Sequence, residues 1–134
     1  MKAFSFIINP VSGKLRLHDK INLIKKNCHS INYQIFTCHS KEEVTVRAEK
    51  EIKNGKVIVA CGGDGTVNAI ASVVIKNNGL MAILPMGRGN DFALNIGISS
   101  YKDAFNVLRN GKIKSIKYLN LEFENAEEKV GLTC

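Results

Sequence analysis

Residues 57–66 decide the fold; they are Val57-Ile58-Val59-Ala60-Cys61-Gly62-Gly63-Asp64-Gly65-Thr66. An unbroken apolar run comes first, as in a strand buried on both faces of a parallel sheet. A glycine-rich loop with one carboxylate follows, and then Val67, Ile70, Val73 and Val74 recur at helical spacing. We therefore predict a strand, a glycine loop and a helix. This unit places backbone N–H groups and a positive helix end at the carboxyl edge of a sheet, where phosphates bind.

The composition of the glycine loop indicates what it could bind. Glycine suits a backbone that approaches a phosphate closely, because it has no Cβ and reaches positive φ at low cost. Asp64 is the only large group in this loop, and it could hold Mg²⁺ indirectly or take the proton from an attacking hydroxyl. Thr66 is expected to cap the helix and to offer a hydroxyl to a phosphate. The alternative is a tight turn in which Asp64 merely caps the helix.

Two further turns follow predicted strands. Residues 9–13, Asn9-Pro10-Val11-Ser12-Gly13, end the first strand, because proline cannot donate to a ladder and glycine frees the backbone. Residues 85–89 form a second phosphate-sized loop after the apolar strand at residues 80–84, and Asn90-Asp91 begin a short helix. Here the alternative is that Asn90 or Asp91 serves only as a helix cap.

These three stretches resemble the motifs of one family. Residues 62–66 resemble the GGDGT signature of diacylglycerol kinases, sphingosine kinases, NAD kinases and phosphofructokinases. Residues 9–13 resemble the NPxSG motif of the lipid kinases, and residues 85–93, PMGRGNDFA, resemble their PxGTxNDFA motif. The resemblance covers essentially the whole chain, which is identified as a member of the diacylglycerol-kinase-type catalytic family.

The resemblance implies both a fold and an activity. The fold is α/β, with a three-layer, doubly wound, mostly parallel sheet, like the amino-terminal domain of NAD kinases and diacylglycerol kinases; the alternation of strands and helices independently favours it. The activity is transfer of the ATP γ-phosphoryl group to a lipid hydroxyl, with ATP and Mg²⁺ as cofactors and Asp64 as the candidate catalytic residue. No residue is assigned as a direct metal ligand.

The resemblance also implies a set of nucleotide-contacting residues. They are Asn9, Pro10, Val11, Ser12, Gly13, Thr37, Gly62, Gly63, Asp64, Gly65, Thr66, Val67, Asn68, Gly87, Arg88, Gly89, Asn90 and Asp91.

Two positions depart from the family pattern. Arg88 stands where the family usually has threonine, and it could place a permanent cation against phosphate oxygens or swing to solvent. Ala69 stands where the family commonly has an acidic residue, so a charge contact made there is in question.

In the resembling kinases this domain is only the amino-terminal half, and a β-rich second domain follows it. Residues 1–134 are accordingly expected to be the nucleotide-binding domain of a lipid kinase, with the second domain absent from this chain. Alone, the chain is expected to hold nucleotide weakly and to catalyse little or nothing.

The charge balance indicates which kinds of partner to expect. There are 19 Lys and Arg against 12 Asp and Glu, a formal net charge of +7, which favours anionic partners. The expected partners are ATP, a lipid such as diacylglycerol and an anionic membrane face in peripheral contact, with a homodimer as the assembly to test. No interleaving of aromatic and basic residues suggests a nucleic-acid platform, so no nucleic acid is expected. No apolar stretch approaches a membrane span, and we expect a cytoplasmic protein, in peripheral contact with the inner membrane face.

The four cysteines favour reduced thiols, since no CxxC pair occurs and Cys61 lies in the buried strand. Cys28-His29 and Cys38-His39 leave a zinc site conceivable, although the spacing matches no usual pattern.

Three other functions remain open. An NAD-kinase-like enzyme shares the GGDGT loop, although residues 9–13 and Phe92-Ala93 argue against it. A non-catalytic nucleotide-binding module is favoured by Arg88, Ala69 and the absent second half. A doubly wound domain of unrelated function is the third possibility, because fold does not give function.

Overall fold

The computed structural model describes residues 2–87, 89–110, 112–118 and 127–133. The elements there are β1 (Ala3–Ile8), α1 (Leu17–Asn27), β2 (Asn32–Thr37), α2 (Lys41–Lys53), β3 (Val57–Gly62), α3 (Asp64–Lys76), β4 (Met81–Pro85), α4 (Asp91–Asn95), α5 (Tyr101–Asn110), β5 (Lys112–Tyr118) and β6 (Glu127–Thr133). Within these residues, no helix is both long enough and apolar enough to cross a membrane.

The strands form one sheet in the order β2-β1-β3-β4-β6-β5. The pairs β1–β2, β1–β3, β3–β4 and β4–β6 are parallel, and β5 runs antiparallel to β6. From β1 the chain passes to β2 on one side, and it then crosses back over β1 to β3 and β4 on the other side. The winding direction therefore reverses between β1 and β3. The predicted doubly wound, mostly parallel α/β fold is confirmed, and the reversal leaves a crevice beyond the carboxyl ends of β1 and β3.

The helices cover both faces of the sheet. α2 packs against α3 on one face. On the other face, Arg109 of α5 donates a hydrogen bond from Nη1 to the Asn27 carbonyl at the end of α1, at 3.1 Å. All six residues of β3 are buried, because the strand lies in the middle of the sheet with helices on both sides.

The starts of α2 and α3 differ in how they follow from the sequence. Ser40-Lys41-Glu42-Glu43 has the serine and later carboxylate of a capping box, which predicts a helix start there. α2 does begin after Ser40, whose Oγ accepts a hydrogen bond from the Glu43 amide at 3.1 Å. The expected cap of α3 by Thr66 is wrong, as is the alternative cap by Asp64. α3 begins at Asp64, with Gly63 at the N-cap position and no side-chain cap. The helix starts earlier because the Asp64 amide is satisfied from outside, by the Gly89 carbonyl at 3.3 Å.

A buried carboxylate joins β1 to α2. Glu51 is 3% exposed, and its Oε1 accepts a hydrogen bond from Ser5 Oγ at 2.7 Å. Lys56 Nζ lies 3.4 Å from Oε1, and Arg47 Nη1 lies 3.7 Å from Oε2. Burial by itself raises the pKa of Glu51, but the Ser5 hydrogen bond and the two cations outweigh it and hold that pKa below its usual value. Glu51 therefore contributes stability while it is ionised.

We expect Glu51→Gln to lower the free energy of unfolding at pH 7 by about 1–3 kcal/mol, because it weakens a buried, charge-assisted network. The wild-type contribution is full above the unfolded-state pKa of about 4.3. It is lost as pH falls through the lower folded-state pKa, so the difference between the variants should shrink in acid. Urea unfolding of both proteins from pH 7 down into acid measures this difference in the free energy of unfolding. Glu49→Gln, in an exposed pair with Lys53, is the control and should change nothing measurable.

Candidate functional site

Backbone hydrogen bonds hold the ends of the first strands and the loops that follow them together. The Asn9 amide donates to the Cys61 carbonyl at 3.1 Å, and the Met86 amide donates to the Gly62 carbonyl at 3.1 Å. The Cys38 amide donates to the Ile8 carbonyl at 3.0 Å. The parallel ladder thus continues past the strands, so the chain leaves β1, β2, β3 and β4 along one edge.

Three loops meet at this edge: the first loop (residues 9–13), the second loop (residues 62–66) and the third loop (residues 85–91, described apart from residue 88). They touch through glycines. A Cβ on Gly87 would lie 2.1 Å from the Gly63 Cα, and a Cβ on Gly13 would lie 2.0 Å from the Met86 carbonyl oxygen. Gly13 also has a φ of +68°. The first and second loops each approach the third so closely that no side chain fits between them.

Asp64 connects the second loop to the third. Its amide donates to the Gly89 carbonyl, and its Oδ2 accepts a hydrogen bond from the Asp91 amide at 3.3 Å. Asn90 braces the third loop from within, since its Oδ1 accepts from the Gly87 amide at 3.2 Å and its Nδ2 donates to the Gly87 carbonyl at 2.9 Å. Asn90 occupies the N-cap position of α4 but makes no side-chain cap bond, so the alternative in which it serves only as a cap is wrong.

The first loop is braced by its own side chains and by a lysine from α1. Asn9 Oδ1 accepts a hydrogen bond from the Val11 amide at 3.1 Å, and Ser12 Oγ donates to the Asn9 carbonyl at 3.1 Å. Lys20 Nζ donates to the Asn9 carbonyl at 2.8 Å and to the Ser12 carbonyl at 2.6 Å. Sequence reasoning missed Lys20. The available signal was its position four residues before Ile24, on the inward stripe of the helix.

A cleft of about 330 Å³ opens beside the first and second loops. One wall comes from Asn9 and Val11 of the first loop and from Gly65 and Thr66 in the first turn of α3. The other wall comes from the segment that enters α2; its residues are Cys38, His39, Ser40, Lys41 and Val44. The volume lies within the range of small-molecule sites, and the polar groups are hydroxyls, an amide, a lysine and a helix start. Such a set suits an anionic ligand.

Gly65 keeps this cleft open. A Cβ there would meet no atom within 4 Å, so the space in front of the first turn of α3 is free of side chains. Thr66, by contrast, is 8% exposed and folds back against Gly62, where a Cβ would lie 2.6 Å from its Oγ1.

A second cavity of about 450 Å³ lies on the α4 side of the third loop. Pro85, Gly89, Asn90 and Asp91 contribute to its lining together with Leu94, which is 57% exposed. Asp64 is connected to both linings through its neighbours: Gly65, the next residue, lines the cleft, and the Asp91 amide that donates to Asp64 Oδ2 belongs to the lining of this cavity.

Most of the predicted site residues come together, and a few do not. The first and second loops and the described part of the third loop meet as stated above, and Arg88 lies outside the described residues. Thr37 is not brought to the cleft; it lines a separate groove of about 640 Å³ between β2 and α2. Its neighbour Cys38 lines both the groove and the cleft. Val67 is buried in the core at 3% exposure, and Asn68 is half-buried on α3.

The cysteines of the described residues are free, buried thiols. Burial raises the pKa of Cys28 to about 11 and that of Cys61 well above its usual value, so both thiols are protonated at neutral pH. Burial likewise raises the pKa of Cys38. Within the part of the chain that the structure describes, no group of three His, Cys, Asp or Glu residues could hold a metal ion.

The model of the diacylglycerol kinase catalytic domain matches residues 3–121, which include all three loops. This chain belongs to the diacylglycerol kinase catalytic domain family. The resemblance drawn from the loop motifs is therefore confirmed.

Individual relatives also bear names from this family. The diacylglycerol kinase of Staphylococcus haemolyticus is 31% identical over 96 residues, which cover 68% of this chain and 29% of that protein. A Klebsiella pneumoniae protein named as a YegS-like lipid kinase is 33% identical over 85 residues, covering 62% of this chain and 28% of that protein. The crystal structure of a diacylglycerol kinase from Bacillus anthracis matches with a TM-score of 0.76 at 21% identity, covering 87% of this chain and 44% of that one. The chain spans about a quarter to a third of the length of the curated relatives.

The contact of Gly87 with Gly63 gives a direct test of the loop junction. We expect Gly87→Ala to lower the free energy of unfolding by about 3 kcal/mol, because the new methyl group meets backbone that cannot turn aside. Gly65→Ala is the matched control and should leave stability unchanged or slightly raised, since its methyl group meets nothing and alanine favours helix. Thermal unfolding of both variants makes the comparison; equal melting temperatures would contradict the close contact.

Proposed function

We propose that this chain is the nucleotide-binding part of an ATP-dependent lipid kinase, which transfers the γ-phosphoryl group of ATP to the hydroxyl of a lipid of the diacylglycerol class. The observation that carries the proposal is the position of Asp64 where the second loop meets the third, next to Gly65 of the polar cleft and bonded to Asp91 of the second cavity. Family membership supports the reaction class.

The nucleotide is proposed to bind in the cleft beside the first and second loops. Its phosphates would face the first turn of α3, where main-chain N–H groups and the helix dipole favour negative charge. The open space at Gly65 admits a phosphate to that turn. Lys41 and Ser40 on the opposite wall add a cation and a hydroxyl. The acceptor would then approach from the side of Asp91 and Leu94.

Asp64 is proposed to act on the acceptor hydroxyl. In this step the hydroxyl oxygen forms a bond to the γ-phosphorus, and the bond between that phosphorus and the oxygen bridging to the β-phosphate breaks. ADP leaves with the bonding electrons, and the hydroxyl proton passes to the Asp64 carboxylate. Positioning and charge neutralisation should supply most of the rate, as is usual for phosphoryl transfer.

Mg²⁺ fits this site as an ion carried by the nucleotide. The described residues offer no three-ligand protein cage, and Mg²⁺ in kinases is usually held by one or two carboxylates together with substrate phosphates. Asp64 would hold such an ion indirectly and not as a direct ligand, which leaves its carboxylate free to take the proton. When bound, the ion neutralises charge on the transferring phosphate.

The relatives are several times longer than the matched region, and we propose that this chain alone binds nucleotide but turns over little or no lipid. Its formal net charge of +7 supports peripheral contact with an anionic membrane face, where a lipid acceptor resides.

The decisive assay offers labelled ATP and Mg²⁺ to the protein expressed from the whole gene, with diacylglycerol in vesicles and NAD in parallel. We expect label on the lipid. Label on NAD alone would instead support an NAD kinase. Nucleotide binding without label on either acceptor would support a non-catalytic module.

We expect Asp64→Asn in that protein to reduce kcat by at least about 100-fold, the size expected when a general base is lost, and to leave ATP affinity within a few fold. Steady-state kinetics and calorimetry with MgATP separate the two effects. Asp19→Asn, at an exposed position of α1, is the control and should behave as wild type. Unchanged kcat in Asp64→Asn would remove Asp64 from the chemistry.

A further inference from the structure

Lys20 is an unusual residue to find beneath a loop of the site. Its relative exposure is 0%, although lysine is rarely buried without a charged partner. Its ammonium group lies under the first loop, with the Asn9 carbonyl at 2.8 Å, the Ser12 carbonyl at 2.6 Å and Ser12 Oγ at 3.3 Å. These contacts match the three donors of an ammonium group, so Lys20 has no N–H left to reach a ligand.

No carboxylate neutralises this cation within the described residues. The ion pairs there involve Arg47, Lys53 and Lys56. Burial lowers the pKa of Lys20, which reflects the cost of keeping the charge inside. A buried positive charge that faces only neutral oxygens remains available to attract an anion bound outside the loop.

The geometry of one peptide group links Lys20 to the Gly13 N–H. The Ser12 carbonyl and the Gly13 N–H belong to the same peptide, and no peptide bond in the described residues is cis. In a planar trans peptide these groups point in opposite directions. Because the Ser12 carbonyl points at Lys20, the Gly13 N–H points away from it. That N–H has no hydrogen-bond partner among the residues that the structure describes.

We propose that Lys20 is the positioning residue of the anion site: it fixes the Ser12–Gly13 peptide so that the Gly13 N–H is presented to a phosphate group of the bound nucleotide. Lys20 acts through the loop and does not touch the ligand. This inference rests on the proposed function, because it concerns the same site. It applies to phosphate groups generally, so inorganic pyrophosphate and MgATP both serve as probes.

The test is Lys20→Met, which keeps the length and volume of the side chain and removes the charge. We expect affinity for MgATP and for pyrophosphate, measured by calorimetry on the full chain, to fall by about tenfold or more, as expected when a charged hydrogen-bonding group is lost. The melting temperature of the free protein should stay within a few degrees, because an apolar group in a buried site avoids the cost of burying charge. A merely structural lysine would give the opposite pattern, with stability lost and affinity kept.

Lys26→Met is the matched control, since Lys26 is exposed on the same helix and carries the same charge. It should keep wild-type affinity. If both variants lost affinity equally, the loss would come from the change in overall charge, and the proposal would be overturned. Unchanged affinity in Lys20→Met would overturn it as well. A wild-type chain that binds neither MgATP nor pyrophosphate would instead overturn the proposed function.

A measurement on the wild-type chain keeps the proposal testable if Lys20→Met does not fold. In NMR spectra, the Gly13 amide and the Lys20 ammonium signals should shift together, with the same midpoint, as pyrophosphate is added. A Gly13 amide that does not respond to bound pyrophosphate, or that responds while Lys20 stays unmoved, would overturn the proposal.

Discussion

Close contact between backbones is the constraint on which the site depends. The third loop meets the second at Gly87 and Gly63, and it meets the first where Gly13 faces the Met86 carbonyl. A methyl group at Gly87 or Gly13 would come within about 2 Å of backbone atoms that cannot rotate away. The glycines in these loops therefore serve packing between loops, and the position of Asp64 follows from that packing.

The doubly wound sheet makes such contact possible. Parallel strands deliver every following loop to the same edge, and the reversal of winding between β1 and β3 separates the helices on either side of it. Hydrogen bonds such as those from Asn9 to Cys61 and from Met86 to Gly62 then hold the loops in register beyond the strands.

Charge is arranged in two layers around the first loop. The buried ammonium of Lys20 binds loop carbonyls from below, while the cleft above is lined by hydroxyls, amides and Lys41. The Glu51 cluster, at the interface of β1 and α2, instead pairs its buried charge with Lys56 and Arg47. The two buried charges therefore differ: that of Glu51 is neutralised by cations inside the protein, whereas the ammonium group of Lys20 has only neutral oxygens around it.

The sequence by itself determined the fold class and the identity of the three loops, because unbroken apolar runs followed by Gly, Pro and Asn are local signals. It also determined the start of α2 at Ser40. Only the tertiary structure decided how the loops use those residues. Thr37 lines only the groove and Cys38 lines both the groove and the cleft. Asn90 braces Gly87, and Gly63 is the N-cap of α3 because Gly89 satisfies the Asp64 amide. Lys20 belonged to the same group, since its partners lie 8 and 11 residues away and a hydrogen bond across that span leaves no mark in a local pattern.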